Sequence, residues 1–333
     1  MLLIAPDSFK GTYSAAQVAA AVASGAAAGE GGVEVDLCPV ADGGEGTLDV
    51  VLAARGGRTE PVSALDPLGR PLSAPLGWLD GGATAVVEAA GASGLGLVAE
   101  RERDAEVAST YGTGELIAAA AARGARTIVV TVGGSGTSDG GAGALEAIER
   151  GGGLRGAALV VACDVVTPFE RAAQLYAPQK GADAAAVERL TARLHEQAAV
   201  LPRDPRGVPM TGAAGGLAGG LWAAHGARLV PGAEWVLDAV GFDDRLARAS
   251  AVVTGEGRLD RQTFEGKLVG EVAARCRRAG VPLHAVVGSC ALDEAEARAL
   301  GLASLHVASD EAAMSAAGAA IAASVDTPEA PSA

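Results

Sequence analysis

The stretch Thr127–Gly143, TIVVTVGGSGTSDGGAG, decides the fold that we expect for this chain. Its first six residues are β-prone and then stop at a run rich in glycine, serine and threonine. The next stretch, Ala144–Arg150, suits a helix and is followed by a glycine. The order strand, small-residue loop, helix predicts one βα unit of an α/β protein.

The loop within this stretch favours a bound anion. Glycine allows positive φ and lets a ligand approach the main chain, and the N–H groups at a helix start attract negative charge. We therefore expect a phosphate or carboxylate to bind at this loop, with Gly133, Gly134, Ser135 and Asp139 as the candidate contacts to a nucleotide phosphate. The loop matches neither the GxxxxGK[ST] spacing nor the GxGxxG register, so a βα turn that merely needs glycines is the alternative.

Two further strand ends near the amino terminus carry polar side chains. The apolar run Leu2–Ala5 leads into PDSFKG, with Asp7, Ser8 and Lys10, before a helix opened by an S-x-x-Q capping box. An alternating strand at 33–37 leads into ADGGEGT, which contains two carboxylates. Ligands of open α/β sheets bind at the carboxyl edge of the strands, so we expect these loops to share a site.

The pattern along the chain predicts two α/β domains. Regular strand–helix alternation returns near residue 235, and we expect residues 1–65 and 235–325 to build one parallel sheet. Short strands and turns from about residue 58 onward predict that 66–234 is a second α/β domain inserted in the middle of the chain. Residues 326–333 are expected to form a disordered tail.

Composition excludes several classes of protein. The net charge of −14 argues against a nucleic-acid surface, which needs clustered basic residues. The four cysteines and four histidines lack the spacing of a zinc site, and no run of about 20 strongly apolar residues predicts a membrane span. The amino terminus lacks the basic region of a signal peptide, so we expect a cytoplasmic protein with free thiols.

Lysine is rare in this chain, because only three of its 26 basic residues are lysines. Lys10, Lys180 and Lys267 each lie next to a glycine in a predicted loop. An arginine serves for a generic positive charge, so these lysines are candidates for positions that need a compact ammonium group. Together with the carboxylates, hydroxyls and glycine loops, they favour phosphoryl transfer to an anionic small molecule.

The loops also resemble one known family, the type-1 bacterial glycerate kinases. The matching segments run through most of the chain and are 5–11 (APDSFKG), 41–47 (ADGGEGT), 66–71 (DPLGRP), 110–117 (TYGTGELI), 133–143, 162–165 (ACDV), 178–182 (PQKGA), 212–216 (GAAGG) and 254–260 (TGEGRLD). The resemblance implies a flavodoxin-like domain with a second α/β domain. It also implies ATP- and Mg²⁺-dependent phosphorylation of D-glycerate, usually to 2-phosphoglycerate.

The resemblance leaves the catalytic roles open among several residues. Asp42 or Asp260 is expected to orient or deprotonate the substrate hydroxyl, and Lys10 to contact phosphate. Asp7 and Asp164 are either alternatives for the base or Mg²⁺ ligands. Acidic residues at helix starts often serve only as caps, which is the structural alternative for each of them.

The binding roles are expected at five further positions. Arg258 can hold the glycerate carboxylate in a two-pronged hydrogen bond. Ser8, Glu45 and Lys267 complete the predicted substrate site, and Lys180 is assigned to the nucleotide phosphates.

The chain departs from the family pattern at positions that bear on its substrate. Arg261 stands where the family has glycine, and Glu265 where it often has histidine. A kinase for another small hydroxy acid is therefore one alternative, and a non-catalytic protein that binds a hydroxy acid or nucleotide is another. The sequence also leaves open a homodimer and which hydroxyl is phosphorylated.

Overall fold

The structure is a computed structural model, and it describes residues 1–28, 33–260, 268–292, 294–299 and 301–325. The strands in these ranges are β1 (Leu2–Pro6), β2 (Val35–Leu37), β3 (Arg58–Leu65), β4 (Pro71–Leu79), β5 (Thr84–Glu88), β6 (Thr127–Thr131), β7 (Ala158–Cys163), β8 (Arg228–Pro231), β9 (Ala251–Gly255), β10 (Leu283–Val287) and β11 (Leu302–Val307). The helices are α1 (Ala15–Ala27), α2 (Thr47–Arg55), α3 (Ala90–Ser93), α4 (Tyr111–Ala122), α5 (Ala142–Arg150), α6 (Ala172–Tyr176), α7 (Ala184–Val200), α8 (Leu217–His225), α9 (Gly232–Ala239), α10 (Phe242–Leu246), α11 (Leu268–Ala279), α12 (Glu294–Ala299) and α13 (Glu311–Val325). The chain divides into a first unit, Met1–Asp42 with Val236–Ala333, and a second unit, Gly43–Trp235.

The first unit contains a parallel five-stranded sheet in the order β11-β10-β9-β1-β2. Numbered along this unit alone, the strands lie in the order 2-1-3-4-5, which is the flavodoxin-like arrangement. β1 is buried along its whole length and pairs with β9, so that Leu2 lies opposite Ala251. The predicted flavodoxin-like sheet from both ends of the chain is thereby confirmed.

Helix packing on this sheet depends on small residues. α1 begins at the predicted capping box, in which Ser14 and Gln17 exchange hydrogen bonds with each other's backbone. α1 then packs closely against α13. A Cβ atom added to Gly25 would lie 1.7 Å from the carbonyl oxygen of Ser315, so this contact requires glycine.

The second unit contains a mixed six-stranded sheet in the order β3-β4-β5-β6-β7-β8. β3 and β4 form an antiparallel hairpin around the turn that starts at Asp66, and β5 to β8 are parallel. The Asp66 carboxylate closes this turn by accepting from the amides of Leu68 and Arg70. The predicted α/β class of the second unit is confirmed.

Two features of the second unit differ from the sequence-based expectation. We expected the first domain to extend to residue 65, but Gly43–Leu65 lies in the second unit because β3 pairs along its length with β4. The short strand β8 was not predicted, since it has four residues and ends in proline. In the part of the chain that the structure describes, no helix has the length and apolar character needed to cross a membrane.

Candidate functional site

A cavity of about 510 Å³ lies at the carboxyl edge of the first sheet. It opens between the loops that follow the neighbouring strands β1 and β9. The next strand after β1 is β2, toward one edge of the sheet, whereas the next strand after β9 is β10, toward the other edge. Such a topological switch point is where open α/β sheets bind ligands, and the volume falls in the range of roughly 300–1,000 Å³ usual for small-molecule sites. The lining residues are Asp7, Ser8, Phe9, Lys10, Thr12, Asp42, Glu256, Gly257, Arg258, Asp260, Leu268, Gly288, Ser289 and Ser309.

Asp7, Lys10 and Asp42 form the charged centre of this cavity. Lys10 Nζ lies 2.8 Å from Asp42 Oδ2, and Asp7 Oδ1 accepts a hydrogen bond from the Ser8 amide at 2.6 Å. Asp7 is only 5% exposed. Burial, and next the negative charge of Asp42, raise the pKa of Asp7 from 3.8 to about 7, although Lys10 and the Ser8 amide act in the opposite direction. Asp7 can therefore exchange a proton near neutral pH.

Arg258 and Asp260 enter the cavity from the loop after β9. Arg258 Nε lies 3.6 Å from Asp260 Oδ2, and the Arg258 side chain is exposed to solvent. The loop is held by backbone bonds, in which the Gly288 amide donates to the Glu256 carbonyl. A Cβ atom added to Gly288 would lie 2.6 Å from the Gly257 carbonyl oxygen, so the two loops touch through their main chains.

Sequence reasoning missed several polar residues of the cavity. Glu256 follows β9, Ser289 follows β10, and Ser309 follows β11, all at the carboxyl edge of the sheet. The strand-end rule that selected Asp7 would have found them, but isolated serines carry no other signal in the sequence. The predicted substrate residue Lys267, together with Arg261 and Glu265, lies outside the described residues.

The glycine loop after β6 lies in the second unit and is anchored by Asp139. Asp139 Oδ2 accepts from the Thr110 amide and hydroxyl, both at 2.8 Å, and from the Gly143 amide at 3.2 Å. Its Oδ1 accepts from the Gly141 amide at 3.1 Å. These bonds tie the loop to the starts of α4 and α5. The Asp139 carboxylate, predicted to contact a phosphate, is therefore engaged inside the protein.

Lys180 is buried beneath the same loop rather than exposed to a ligand. Its side chain is 2% exposed, and Nζ donates to Ser135 Oγ at 3.1 Å and to the Thr137 carbonyl oxygen at 2.5 Å. Burial lowers the pKa of Lys180 from 10.5 to about 8, and the charge of Asp139 acts in the opposite direction. Direct contact with nucleotide phosphates, as the sequence predicted, does not fit this position.

A second glycine loop, residues 43–46, lies against the first. A Cβ atom added to Gly133 would approach Gly44 Cα to 2.5 Å, so the two loops meet at their backbones. Glu88, at the end of β5, accepts from the amides of Gly46 and Leu48 and so holds the start of α2. Glu45 is exposed on this loop.

The sequence-predicted residues thus fall into two groups. Six of them line the cavity of the first unit: Asp7, Ser8, Lys10, Asp42, Arg258 and Asp260. The others that the structure describes belong to the second unit: Glu45, Gly133, Gly134, Ser135, Asp139, Asp164 and Lys180. Asp164 follows β7 and is half-buried.

Comparisons with known proteins agree with this architecture. The model of a family described as the glycerate kinase family matches residues 2–152 and 149–326. A glycerate kinase of Halalkalibacterium halodurans is 38% identical over 323 residues, and the glycerate 2-kinase of Escherichia coli is 36% identical over 323 residues, with 86% of this chain and 85% of each relative covered. A crystal structure described as glycerate kinase 2 from Salmonella typhimurium LT2 superposes with a TM-score of 0.83 at 32% identity, covering 97% of both chains.

Proposed function

The chain belongs to the glycerate kinase family, and from that premise we propose that it transfers the γ-phosphoryl group of ATP to a hydroxyl of D-glycerate, giving 2-phospho-D-glycerate. The observation that supports this proposal is the cavity of the first unit. It combines a proton acceptor, a carboxylate-binding arginine and a lysine at one topological switch point.

In this proposal, Asp7 accepts the proton of the substrate hydroxyl. A general base works best when its pKa lies near the operating pH, and the pKa of Asp7 is raised to about 7 by burial and by Asp42. The hydroxyl oxygen forms a bond to the γ-phosphorus, the bond from that phosphorus to the β,γ-bridging oxygen breaks, and the proton stays on Asp7. Asp42 tunes Asp7 electrostatically and holds Lys10, which neutralises the phosphoryl oxygens.

The substrate carboxylate is assigned to Arg258. Its side chain lines the cavity, with Nε 3.6 Å from Asp260 Oδ2. A planar guanidinium can donate two parallel hydrogen bonds to a carboxylate. Ser8, which lines the cavity on the loop that carries Asp7, is assigned to a substrate hydroxyl. Lys267 and Glu45 keep their proposed substrate roles from the sequence.

The nucleotide phosphates are assigned to the glycine loop of the second unit. Of residues 133–141, Gly134 is exposed and the others are buried. Gly134 has φ +71°, so the loop turns there without a side chain and a ligand can approach the main chain closely. Gly133 and Ser135 flank that position. A loop of this kind before a helix start suits phosphate oxygens.

The residues present fit a magnesium ion that is bound together with ATP. Mg²⁺ is usually held by one or two carboxylates, with phosphate oxygens and water completing the shell. No cluster of three or more acidic, histidine or cysteine ligands occurs in the described ranges, whereas Asp164 offers a single half-buried carboxylate after β7. Asp164 would therefore hold the ion, which supplies neutralisation of the phosphate charge during transfer.

An ADP-release assay over a panel of acids tests the proposed reaction. The panel contains D-glycerate, L-glycerate, tartronate and glycolate, each with and without Mg²⁺, and phosphorus-31 NMR identifies the product. We expect turnover with D-glycerate and a 2-phosphorylated product. Thermal stabilisation by glycerate without any ADP release would instead indicate a binding protein, and preference for another acid would indicate a different hydroxy-acid kinase.

Asparagine substitutions test the assigned carboxylates in the same assay. Asp7→Asn is expected to lower kcat by about 10²- to 10⁴-fold, the usual contribution of a general base. Asp42→Asn and Asp260→Asn should also lower kcat. A kcat within a few-fold of wild type would show that the substituted aspartate does not have the proposed catalytic role. Glu34→Gln is the matched control, because Glu34 is an exposed carboxylate just before β2, at the opposite edge of the sheet.

Two properties of the whole molecule remain proposals. The cytoplasmic location rests on the composition, and a homodimer rests on the sequence-based expectation alone. Light scattering of the purified full chain at several concentrations tests the dimer, and a constant monomer mass would exclude it.

A further inference from the structure

Lys180 occupies an unusual position for a lysine. It ends the turn Pro178–Lys180, and the next residue, Gly181, has φ +96°. A Cβ atom added to Gly181 would lie 2.6 Å from the Arg103 carbonyl oxygen, so the backbone that follows Lys180 packs closely against that of Arg103. The side chain then reaches Ser135 and Thr137, about forty residues earlier in the sequence.

The surroundings of this ammonium group do not favour its charge. Its partners are a hydroxyl and a main-chain carbonyl instead of a carboxylate, and burial lowers its pKa to about 8. A buried charge without an ion-pair partner weakens folding, and an apolar side chain of similar size is often tolerated as well or better. Stability alone therefore gives no reason for a lysine here.

The loop above Lys180 is held from its inner side by other polar contacts. Arg193 on α7 donates to the Ser138 carbonyl at 3.1 Å, and Gln197 on the same helix donates to the Asp139 carbonyl at 2.9 Å. These contacts fix the second half of the loop. The first half is held by main-chain bonds, in which the Leu95 amide donates to the Gly134 carbonyl and the Gly136 amide donates to the Ser93 carbonyl. Lys180 adds side-chain contacts to this half, at Ser135 Oγ and the Thr137 carbonyl.

We propose that Lys180 is a positioning residue for the phosphate-binding loop: it acts from beneath, through Ser135 and the Thr137 carbonyl, and never touches the nucleotide. Its ammonium restrains Ser135 Oγ and the Thr137 carbonyl, and its positive charge favours an anion at the outer face near Gly134. This inference rests on the proposed function, since it assumes that the loop binds nucleotide phosphates.

Lys180→Met tests the proposal, because methionine keeps most of the length and removes the charge. We expect the variant to fold with a Tm within a few degrees of wild type. The KM for ATP should rise at least about tenfold while the KM for glycerate changes less than about threefold. Hydrogen exchange should accelerate in peptides that cover 133–138 and not in peptides from β1. Arg123→Met is the control, because it removes an exposed charge of the same unit that is paired with Glu60.

A double-mutant cycle tests whether Lys180 acts through the loop. Ser135→Ala should weaken ATP binding, and adding it to Lys180→Met should have less than the multiplied effect of the two changes. Multiplicative effects, an unchanged KM for ATP, or an equal rise of both KM values would overturn the proposal.

Calorimetric titration of the intact protein with sodium tripolyphosphate separates the two proposals. If wild type binds tripolyphosphate at least about tenfold more tightly than Lys180→Met, the positioning role holds even when no glycerate is phosphorylated, and only the proposed reaction fails. If wild type binds neither tripolyphosphate nor ATP, the positioning role is overturned.

Discussion

Replacing Asp7 by asparagine should change how the stability of the protein depends on pH. Asp7 keeps its proton up to about pH 7 in the folded chain, whereas its ordinary pKa is 3.8. Between these values the folded state binds more protons than the unfolded state, so the contribution of Asp7 to the free energy of unfolding is complete below pH 3.8 and is lost as the pH rises through 7. Asparagine does not titrate, so its contribution to the free energy of unfolding does not change over this pH range.

The size of the effect follows from the shift. A pKa that moves from 3.8 to about 7 corresponds to about 4 kcal/mol as an upper limit, at 1.36 kcal/mol for each pH unit. The free energy of unfolding of Asp7→Asn minus that of wild type should therefore increase between about pH 4 and pH 8, by up to about 4 kcal/mol. The variant gains relative stability at the pH where it has lost catalysis.

Urea unfolding in EDTA at several pH values measures this difference. Circular dichroism follows both units, and the fluorescence of Trp78, Trp222 and Trp235 follows the second unit alone, because all three tryptophans lie there. Glu34→Gln is the matched control, because it removes a carboxylate that is exposed in the folded chain. If the Asp7→Asn difference is constant within about 0.5 kcal/mol across the range, the folded protein does not retain the proton on Asp7, and the assignment of the base fails.

Three further substitutions probe the site and its supports. Asp42→Asn should lower the pKa of Asp7, as followed by carbon-13 NMR of its carboxyl group, because a neighbouring negative charge is removed; an unchanged value would contradict their coupling. Glu88→Ala should destabilise the second unit by about 1–3 kcal/mol in tryptophan-detected urea unfolding, since two amides at the start of α2 lose their acceptor. Gly318→Ala should lower stability by at least about 1–3 kcal/mol, because the added Cβ would lie 2.0 Å from a carbonyl oxygen of α1. Gly96→Ala, where a Cβ would meet nothing within 4 Å, is its control and should change stability by no more than about 0.5 kcal/mol.

The sequence predicts the cavity of the first unit well because its residues follow buried parallel strands. Asp7 and Lys10 come after β1, and Arg258 and Asp260 come after β9. The strands of a parallel sheet end at one edge, so their exit loops meet whatever separates them in the sequence. Assigning β1 and β9 to one sheet therefore brings together residues about 250 positions apart, whereas the individual roles of Arg258 and Asp260 came from the family resemblance.

The boundary of the second unit could not be obtained in the same way. The run Arg58–Leu65 has the character of a strand, but its own residues do not indicate which of the two sheets it joins. Its pairing with β4 is decided by the turn at Asp66, whose carboxylate accepts from two amides and pairs with Arg70. The sequence predicts turns in this region, of which DPLGRP at 66–71 is one, but a turn predicts a hairpin only when both flanking runs are assigned to the same sheet.

The rarity of lysine has two different physical causes in this chain. Lys10 is 62% exposed and paired with Asp42, so a flexible point charge can reach a ligand from there. Lys180 is 2% exposed, and the hydrogen bonds it makes are to one hydroxyl and one carbonyl. An arginine at that position would bring five N–H donors into a space that provides acceptors for two, and each buried donor left unsatisfied would destabilise the fold by about 1–3 kcal/mol. The count of lysines signals both positions, but only the burial of the side chain distinguishes a residue that meets a ligand from one that shapes the loop above it.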